Sequence, residues 1–107
     1  MTSAPPLTEL DFMHQVTGYA VLRGWDWLHI RPGRTKDSWR TPVSGTLGAG
    51  FPDLLLIRGS RIIFAELKRD GGKPTADQRR VLDVLGQAAE AYCWTPKDWD
   101  FLERELR

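Results

Sequence analysis

Apolar residues recur at helical spacing in the first part of the chain. They occupy Phe12, Val16, Tyr19 and Ala20. Positions three or four residues apart lie on the same face of a helix, so this pattern predicts a helix with one buried face. Thr8, with Asp11 three positions later, is typical of a helix N-terminus, and Gly24 is typical of a C-terminal stop. We therefore predict a first helix at about residues 9–23.

Two later segments are also predicted to be helical. Residues 76–89 follow Thr75, a suitable N-cap, and place Val81, Leu82, Leu85 and Ala89 on one face. The last helix begins after Thr95, with Pro96 at its first position, an arrangement that suits a helix N-terminus. Its apolar stripe consists of Trp99, Leu102 and Leu106.

Runs of branched and aromatic residues predict four strands, at residues 25–30, 53–58, 61–68 and 91–94. Only Gly59-Ser60 separates the second strand from the third, so these two should form an antiparallel hairpin. Both strands are apolar at consecutive positions, which predicts burial on both faces. With a helix before the fourth strand, the order predicts an α/β fold: a mixed central sheet flanked by helices.

Residues 31–50 show no periodicity and are interrupted by prolines and glycines, so we predict a long loop there. Its basic residues are Arg31, Arg34, Lys36 and Arg40, against a single acid. Such a cluster suits contact with phosphate, although a solvated surface loop is the commoner explanation. Residues 1–7 are predicted to be a disordered lead-in to one domain that spans residues 8–107.

Composition narrows the class of protein. The chain has 107 residues, of which 41% are hydrophobic and 27% charged, and its formal net charge is +1. These values are ordinary for one soluble globular domain. The sequence lacks the run of about 20 apolar residues that spans a bilayer, and its N-terminus does not resemble a signal peptide. The single cysteine, Cys93, excludes an internal disulfide and favours a reducing cytoplasm.

Three charged residues stand at the ends of the predicted hairpin strands. Asp53 opens one strand, and Glu66 and Lys68 close the other. Residues two apart share a strand face, and the antiparallel pairing brings Asp53 beside them. Each residue alone is more often a cap or a surface ion pair, but two carboxylates at buried strand ends require a cation. Their convergence predicts a Mg²⁺ or Mn²⁺ site, with the backbone carbonyl of Leu67 as a further ligand.

The order of motifs also resembles a known family. Gly50-Phe51-Pro52-Asp53, then Glu66-Leu67-Lys68, then Thr75-x-x-Gln78 looks like the VRR-NUC family of the PD-(D/E)xK nuclease superfamily, and in particular its small stand-alone members from phages and bacteria. The resemblance extends over nearly the whole chain. It implies a restriction-endonuclease-like core of order αβββαβ plus a C-terminal helix. It also implies that Asp53 and Glu66 bind metal, that Lys68 is catalytic, and that Gln78 acts at the edge of the site.

Several other residues have two explanations each. Gln78 completes a capping box with Thr75, which requires no catalytic role. Glu9 resembles the family's first-helix acid, which reaches the metal directly or through water, yet it also compensates the helix dipole. His29 is more simply structural, whereas Trp39 in the basic loop could stack on a base at a DNA branch. The candidate phosphate contacts are Arg31, Arg34, Lys36, Arg40 and Lys73.

Together these observations predict a Mg²⁺- or Mn²⁺-dependent endodeoxyribonuclease that hydrolyses phosphodiester bonds. The resemblance implies 5′-phosphate products, selectivity for branched DNA of the Holliday-junction kind, and the cytoplasm of a bacterium or a phage-infected cell. A homodimer on branched or duplex DNA is expected, without a small-molecule cofactor or a membrane. The alternatives are a DNA-binding or interaction module with an inactive nuclease fold, and an unrelated α/β protein with an accidental ion pair.

Overall fold

The computed structural model describes residues 6–30, 33–34, 39–40 and 43–107, with only the backbone described at 33–34 and 39–40. In chain order its elements are helix α1 (Glu9–Leu22), strands β1 (Asp26–His29), β2 (Gly33–Arg34), β3 (Trp39–Arg40), β4 (Leu54–Arg58) and β5 (Arg61–Leu67), helix α2 (Ala76–Gly86), strand β6 (Glu90–Trp94), a 3₁₀ turn (Pro96–Asp98) and helix α3 (Trp99–Leu106).

The central sheet contains β1, β4, β5 and β6, in that spatial order. β4 is antiparallel to both β1 and β5, whereas β6 is parallel to β5. A parallel neighbour requires a crossover connection, which α2 supplies. The predicted hairpin is confirmed, because Arg58 lies opposite Arg61 and Gly59 turns the chain with a φ of 60°. The α/β class, with a mixed sheet flanked by helices, is likewise confirmed.

Helix α1 packs its apolar face against the sheet. The side chain of Thr8 accepts a hydrogen bond from the amide of Asp11 at 3.0 Å, which fixes the start of the helix. Phe12, Val16 and Ala20 are fully buried. Burial of a large apolar side chain contributes roughly 1.5–3 kcal/mol, so this face decides how the helix docks. The same core includes Leu54, Leu56, Ile63, Ala65, Trp94, Leu102 and Leu106.

The opposite face of the sheet is covered less completely than the sequence predicts. Ile57 and Ile62 are 38% and 41% exposed. α2 packs mainly on β6 and less on β5, and within its apolar face Val81 is buried while Leu82 and Leu85 are half-buried. The prediction of burial on both faces is therefore wrong for the turn end of the hairpin. A helix of 11 residues is too short to cover that end as well.

Helix α2 is also shorter than predicted. It ends at Gly86, and the next three residues form turns, in which the amides of Ala88 and Ala89 donate to the carbonyl of Leu85. The apolar spacing continues to Ala89 because this turn keeps the chain on the sheet, so the pattern alone does not mark the end of the helix. Strand β6 then begins at once, at Glu90.

The long predicted loop contains a short antiparallel pair. Strands β2 and β3 place Gly33 opposite Arg40 and Arg34 opposite Trp39. Strands of two residues are too short to produce a periodic pattern, which is why the sequence does not reveal them. Within the part of the chain that the structure describes, no helix combines the length and hydropathy needed to cross a membrane.

An ion pair joins β5 to β6 at the turn end of the sheet. The guanidinium of Arg61 donates to both carboxylate oxygens of Glu90, at 2.8 Å and 2.6 Å, and also to the carbonyl of Glu105 in α3 at 2.9 Å. The hydroxyl of Tyr92 adds a hydrogen bond to Glu90 at 3.1 Å. Hydrogen bonds from Arg61 hold the pKa of Glu90 below its ordinary value. This cluster therefore ties the last helix to the sheet.

Replacing Glu90 with Gln should lower the free energy of unfolding by about 1 kcal/mol at neutral pH, because a two-point charged pair that is partly exposed to solvent becomes neutral. Since folding lowers the pKa of Glu90 from 4.5, the contribution is present above pH 4.5 and disappears as pH falls through the lower folded-state pKa. Urea unfolding of both proteins at neutral and acidic pH measures the difference.

The matched control is Glu103→Gln, whose carboxylate lies 3.7 Å from Arg107 on the surface. That change should alter the free energy of unfolding by less than about 0.5 kcal/mol. A loss in Glu90→Gln that stays the same at both pH values would contradict the role given to the ion pair.

Candidate active site

Asp53 lies just before β4, beside the end of β5. In the antiparallel register, the residue after Asp53 is opposite the residue before Glu66. The carboxylate Oδ2 of Asp53 accepts a hydrogen bond from the amide of Leu67 at 3.0 Å. On the other side, the amide of Ile30 donates to the backbone carbonyl of Asp53 at 2.6 Å. The structure thus brings the two carboxylates together, as the hairpin geometry predicts.

Glu66 is 2% exposed, which is unusual for a charged residue. Its Oε1 accepts a hydrogen bond from Nε2 of Gln78 at 2.8 Å and lies 3.6 Å from Nζ of Lys68. Its Oε2 is buried and has no hydrogen-bond partner among the described residues. Buried polar atoms nearly always have a hydrogen-bond partner. Oε2 of Glu66 is therefore the atom of this site at which we expect a ligand to bind.

Burial raises the pKa values of both acids. The pKa of Glu66 rises to about 8, first because the carboxyl is removed from water and second because the charge of Asp53 is close, while Lys68 acts in the opposite direction. The pKa of Asp53 is also raised by burial, which its hydrogen bond from Leu67 partly offsets. Two like charges at one buried position favour protonation of one of them unless a cation is added.

Gln78 completes the predicted capping box and also contacts Glu66. Its side-chain carbonyl accepts a hydrogen bond from the amide of Thr75 at 2.8 Å, and the Thr75 hydroxyl accepts one from the Gln78 amide at 3.2 Å. This is the predicted capping box. The amide nitrogen of the same side chain holds Glu66. The first turn of α2 is therefore connected directly to the buried carboxylate, while a catalytic role for Gln78 stays a prediction.

Gly50 allows the segment before Asp53 to lie against α2. It has a φ of 88°, and a Cβ added there would be 2.5 Å from the backbone carbon of Asp77 and 2.6 Å from the amide nitrogen of Gln78. Real Cβ atoms do not approach backbone atoms that closely, so this position requires glycine. Nothing in the sequence separates Gly50 from the other loop glycines, because the close neighbour lies in a later helix.

Two clefts meet at Asp53. One, of about 320 Å³, is lined by Glu9, His29, Ile30 and Leu67 among others. The charge of Glu9 raises the pKa of Asp53 and that of His29 lowers it, which places both near the acid. The other cleft, of about 450 Å³, lies on the side of Gln78 and Phe51. Asp53 therefore lies in the wall of both clefts, and Glu9 brings a second acid to the first of them.

The described residues contain no group of three His, Cys, Asp or Glu side chains that could hold a metal ion. The acidic centre consists of two carboxylates, Asp53 and Glu66, with Lys68 beside them. A role for Glu9, directly or through water, and for the carbonyl of Leu67 stays a prediction.

The predicted DNA contacts are placed only in part. Lys73 is exposed in the segment before α2. The backbones of Arg34, Trp39 and Arg40 belong to β2 and β3, but their side chains lie outside what the structure describes. Arg31 and Lys36 lie outside the described residues altogether.

Cys93 is a neighbour of the site that the sequence does not indicate. In the parallel pairing of β5 and β6 it lies opposite Glu66. Burial, followed by the charge of Glu66, raises the pKa of its thiol. Only the register of the two strands reveals this proximity.

Comparison of the chain with models of protein families, with curated proteins and with solved structures gave no match.

Replacing Gly50 with Ala should lower the free energy of unfolding by about 2–4 kcal/mol, because the new Cβ adds a clash with α2 to the strain of a positive φ. Gly71→Ala is the matched control, since Gly71 has a φ of 82° and nothing within 4 Å of an added Cβ. The control should lower the free energy of unfolding only by the backbone strain of a positive φ, about 1–2 kcal/mol. Urea unfolding measures both, and equal losses would show that the contact with α2 is unimportant.

Replacing Glu66 with Gln should make the metal-free protein more stable at alkaline pH, by about 1–2 kcal/mol. Folding raises the pKa of Glu66 from 4.5 to about 8. The folded state therefore favours the protonated acid, and this part of the stability is complete below pH 4.5 and is lost as pH rises through 8. Glutamine imitates the protonated acid at every pH, so the variant avoids the loss.

Thermal unfolding in EDTA across this pH range tests the prediction. The two proteins should be nearly equal in acid and should diverge as the pH rises. Asp83→Asn, at an exposed position of α2, should show no such divergence. If Glu66→Gln is less stable than the unchanged protein at alkaline pH, the carboxylate is stabilising and the electrostatic description of the site is wrong.

Proposed function

We propose that this protein is a metal-dependent endonuclease that hydrolyses phosphodiester bonds in DNA. The observation that carries the proposal is the pair of carboxylates of Asp53 and Glu66, held side by side with one buried oxygen, Oε2 of Glu66, unpaired among the described residues. Burying two acids together is unfavourable without a compensating cation. The ammonium of Lys68, 3.6 Å from the other oxygen of Glu66, offsets part of this negative charge. A bound divalent ion would offset the rest.

The order and pairing of the elements support a PD-(D/E)xK-type core and, with the motifs, a VRR-NUC-type nuclease. α1, β1, β4, β5, α2 and β6 follow the order αβββαβ, with β6 parallel to β5 and α3 added at the end. The acids stand at the paired ends of the two middle strands of that core. The pair β2–β3 is then an insertion between the first and second core strands.

The residues present fit a hard divalent ion such as Mg²⁺ or Mn²⁺. Asp53, Glu66 and the backbone carbonyl of Leu67 offer oxygen ligands, and Mg²⁺ usually binds one or two carboxylates and keeps several waters. When bound, the ion would acidify a water and offset charge on the phosphate. Glu9, in the adjoining cleft, would contribute through water. This donor set is poor in nitrogen and sulfur, which favours such an ion over zinc.

Lys68 and Gln78 would act on the water and on the carboxylate. The side chain of Lys68 is 16% exposed, so it can reach solvent while it remains beside Glu66. It would donate a hydrogen bond to the attacking water or to a phosphate oxygen and so fix the line of attack. Gln78 occupies Oε1 of Glu66 by a hydrogen bond, which leaves Oε2 for the ligand. Cleavage would yield products that carry 5′-phosphates.

The partner in this proposal is branched or duplex DNA, bound by a homodimer. Lys73 is exposed in the segment between β5 and α2, and with Arg31, Arg34, Lys36, Arg40 and Trp39 it would contact the phosphate backbone or a base. Strand β1 is at the edge of the sheet, with Trp27 and Leu28 43% and 54% exposed. An edge strand with apolar side chains offers a surface for a second copy.

The proposal predicts cleavage of DNA that depends on Mg²⁺ or Mn²⁺ and is abolished by EDTA. Asp53→Asn, Glu66→Gln and Lys68→Ala should each lower the single-turnover rate by more than about 100-fold, because the first two weaken the binding of the metal ion and the third removes the cation that orients the attacking water. Labelled linear duplex, flap and four-way-junction DNA are the substrates, and gel analysis also shows which product carries the phosphate.

The control variants replace similar residues outside the site. Asp83→Asn and Lys97→Ala are at exposed positions and should cleave at the normal rate. Cleavage that survives Asp53→Asn or Lys68→Ala would show that the active site is elsewhere. Binding of DNA without cleavage in either metal would instead favour a binding module with an inactive nuclease fold.

A further inference from the structure

A preformed apolar cleft lies directly beside the candidate active site. Its volume is about 450 Å³, within the range of roughly 300–1,000 Å³ that small-molecule pockets occupy. Asp53 and Gln78 line it on the side of the site. Its apolar lining is formed by Ile30, Val43, Leu47 and Phe51. The same Asp53 therefore belongs to the acidic centre and to this cleft.

The wall of the cleft is held in place by α2. The guanidinium of Arg80 donates a hydrogen bond to the carbonyl of Thr46 at 2.9 Å, and Gly50 packs against the first turn of the helix. Phe51 is held in position by an edge-to-face contact with Phe64 of β5, with ring centroids 5.7 Å apart. These contacts hold the walls of the cleft in place before any ligand binds.

An apolar cleft beside a proposed phosphate site suits an anionic ligand with an apolar part. Arg80 of α2 contributes a cation at the wall of the cleft, where it holds the carbonyl of Thr46, while Asp53 in the lining is the acid that the proposed metal ion would offset. The apolar lining offers a phosphate no favourable contact. Arg80 at the rim and the metal ion proposed at the adjoining site would attract one. A nucleotide has this combination, since its sugar and base present apolar faces and its phosphates are negative.

We infer that this cleft binds the base and sugar of one unpaired nucleotide next to the phosphate at the active site. The inference rests on the proposed nuclease function and names the substrate class. In continuous duplex the faces of each base are covered by its neighbours, so a base reaches a side cleft only when it is unpaired or leaves the stack. The preferred substrates then contain an unpaired nucleotide at that position: a single strand, a flap or a branch point.

The cleft can be tested by filling it. Ser44 lines the cleft and is exposed, so Ser44→Phe should block it without disturbing the core. The probe is a flapped duplex in Ca²⁺, with 2-aminopurine at one position at a time or with an abasic residue there. In the unchanged protein, the fluorescence of one position near the branch should respond to binding. Ser44→Phe should abolish that response and weaken binding by about 10-fold.

The abasic substrate separates this effect from a general loss of affinity. Against it, the unchanged protein and Ser44→Phe should differ by less than about twofold, because there is no base to exclude. Ser60→Phe, in the exposed turn between β4 and β5, is the matched control and should bind every substrate normally. Leu47→Ala is the second variant, expected to weaken only the base-containing complex, by about fivefold; circular dichroism checks that each variant is folded.

The outcomes distinguish the cleft from the nuclease. If the base-dependent effects appear but no metal cleaves the DNA, the cleft is a nucleotide site and the proposed activity is wrong. If metal-dependent cleavage occurs but Ser44→Phe weakens abasic and base-containing substrates equally, the activity stands and the cleft assignment is overturned. Failure of every 2-aminopurine position to respond overturns it as well.

Discussion

Holding the Glu66 carboxylate out of water is the physical constraint on which the rest of the site depends. A buried charge is tolerated only where hydrogen bonds and opposite charges replace its hydration. Here Gln78 and Lys68 reach Oε1, while Oε2 is left without a partner among the described residues. Asp53 adds a second negative charge instead of relieving the first, and the pKa of Glu66 rises to about 8. The arrangement is unfavourable for the protein alone and favourable for the binding of a cation.

The position of α2 follows from the same constraint. Its first turn supplies Gln78, whose side chain caps the helix and also holds Glu66. The backbone of that turn is in contact with Gly50, so the segment that leads into Asp53 is fixed by the helix as well. Both acids are therefore positioned by one structural unit, although they are on different strands. Such support is what a site needs if it is to keep its geometry during catalysis.

The sheet makes this arrangement possible because it is antiparallel on one side of β5 and parallel on the other. The antiparallel partner brings Asp53 to the end of β5, and the parallel partner sends the chain through α2, whose N-terminus returns to that same end. Helix N-termini favour negative groups, so the first turn of α2 is a suitable neighbour for the two carboxylates. The apolar cleft lies between this helix and the preceding segment, which is why the pair of acids and the cleft have Asp53 in common.

Much of this framework can be predicted from the sequence. The helices and strands are indicated by periodicity, and the hairpin by Gly59-Ser60, because both signals are local. The juxtaposition of Asp53 with Glu66 follows from that hairpin, since antiparallel pairing places strand start against strand end. The capping box of Thr75 and Gln78 is equally local and is present as predicted. Incomplete burial of Ile57 and Ile62 was not predictable, because it depends on how much of the sheet α2 covers.

What the sequence by itself determined is thus the set of elements and the meeting of two acids at one hairpin end. The tertiary structure decided which oxygen of Glu66 is paired, that Gln78 joins the capping box to the acid, and that Gly50 touches α2. It also placed the apolar cleft beside Asp53. These features involve atoms far apart along the chain, and their distances are fixed by the packing of α2 on the sheet. Local periodicity contains no information about such packing, because it records only which face of each element is apolar.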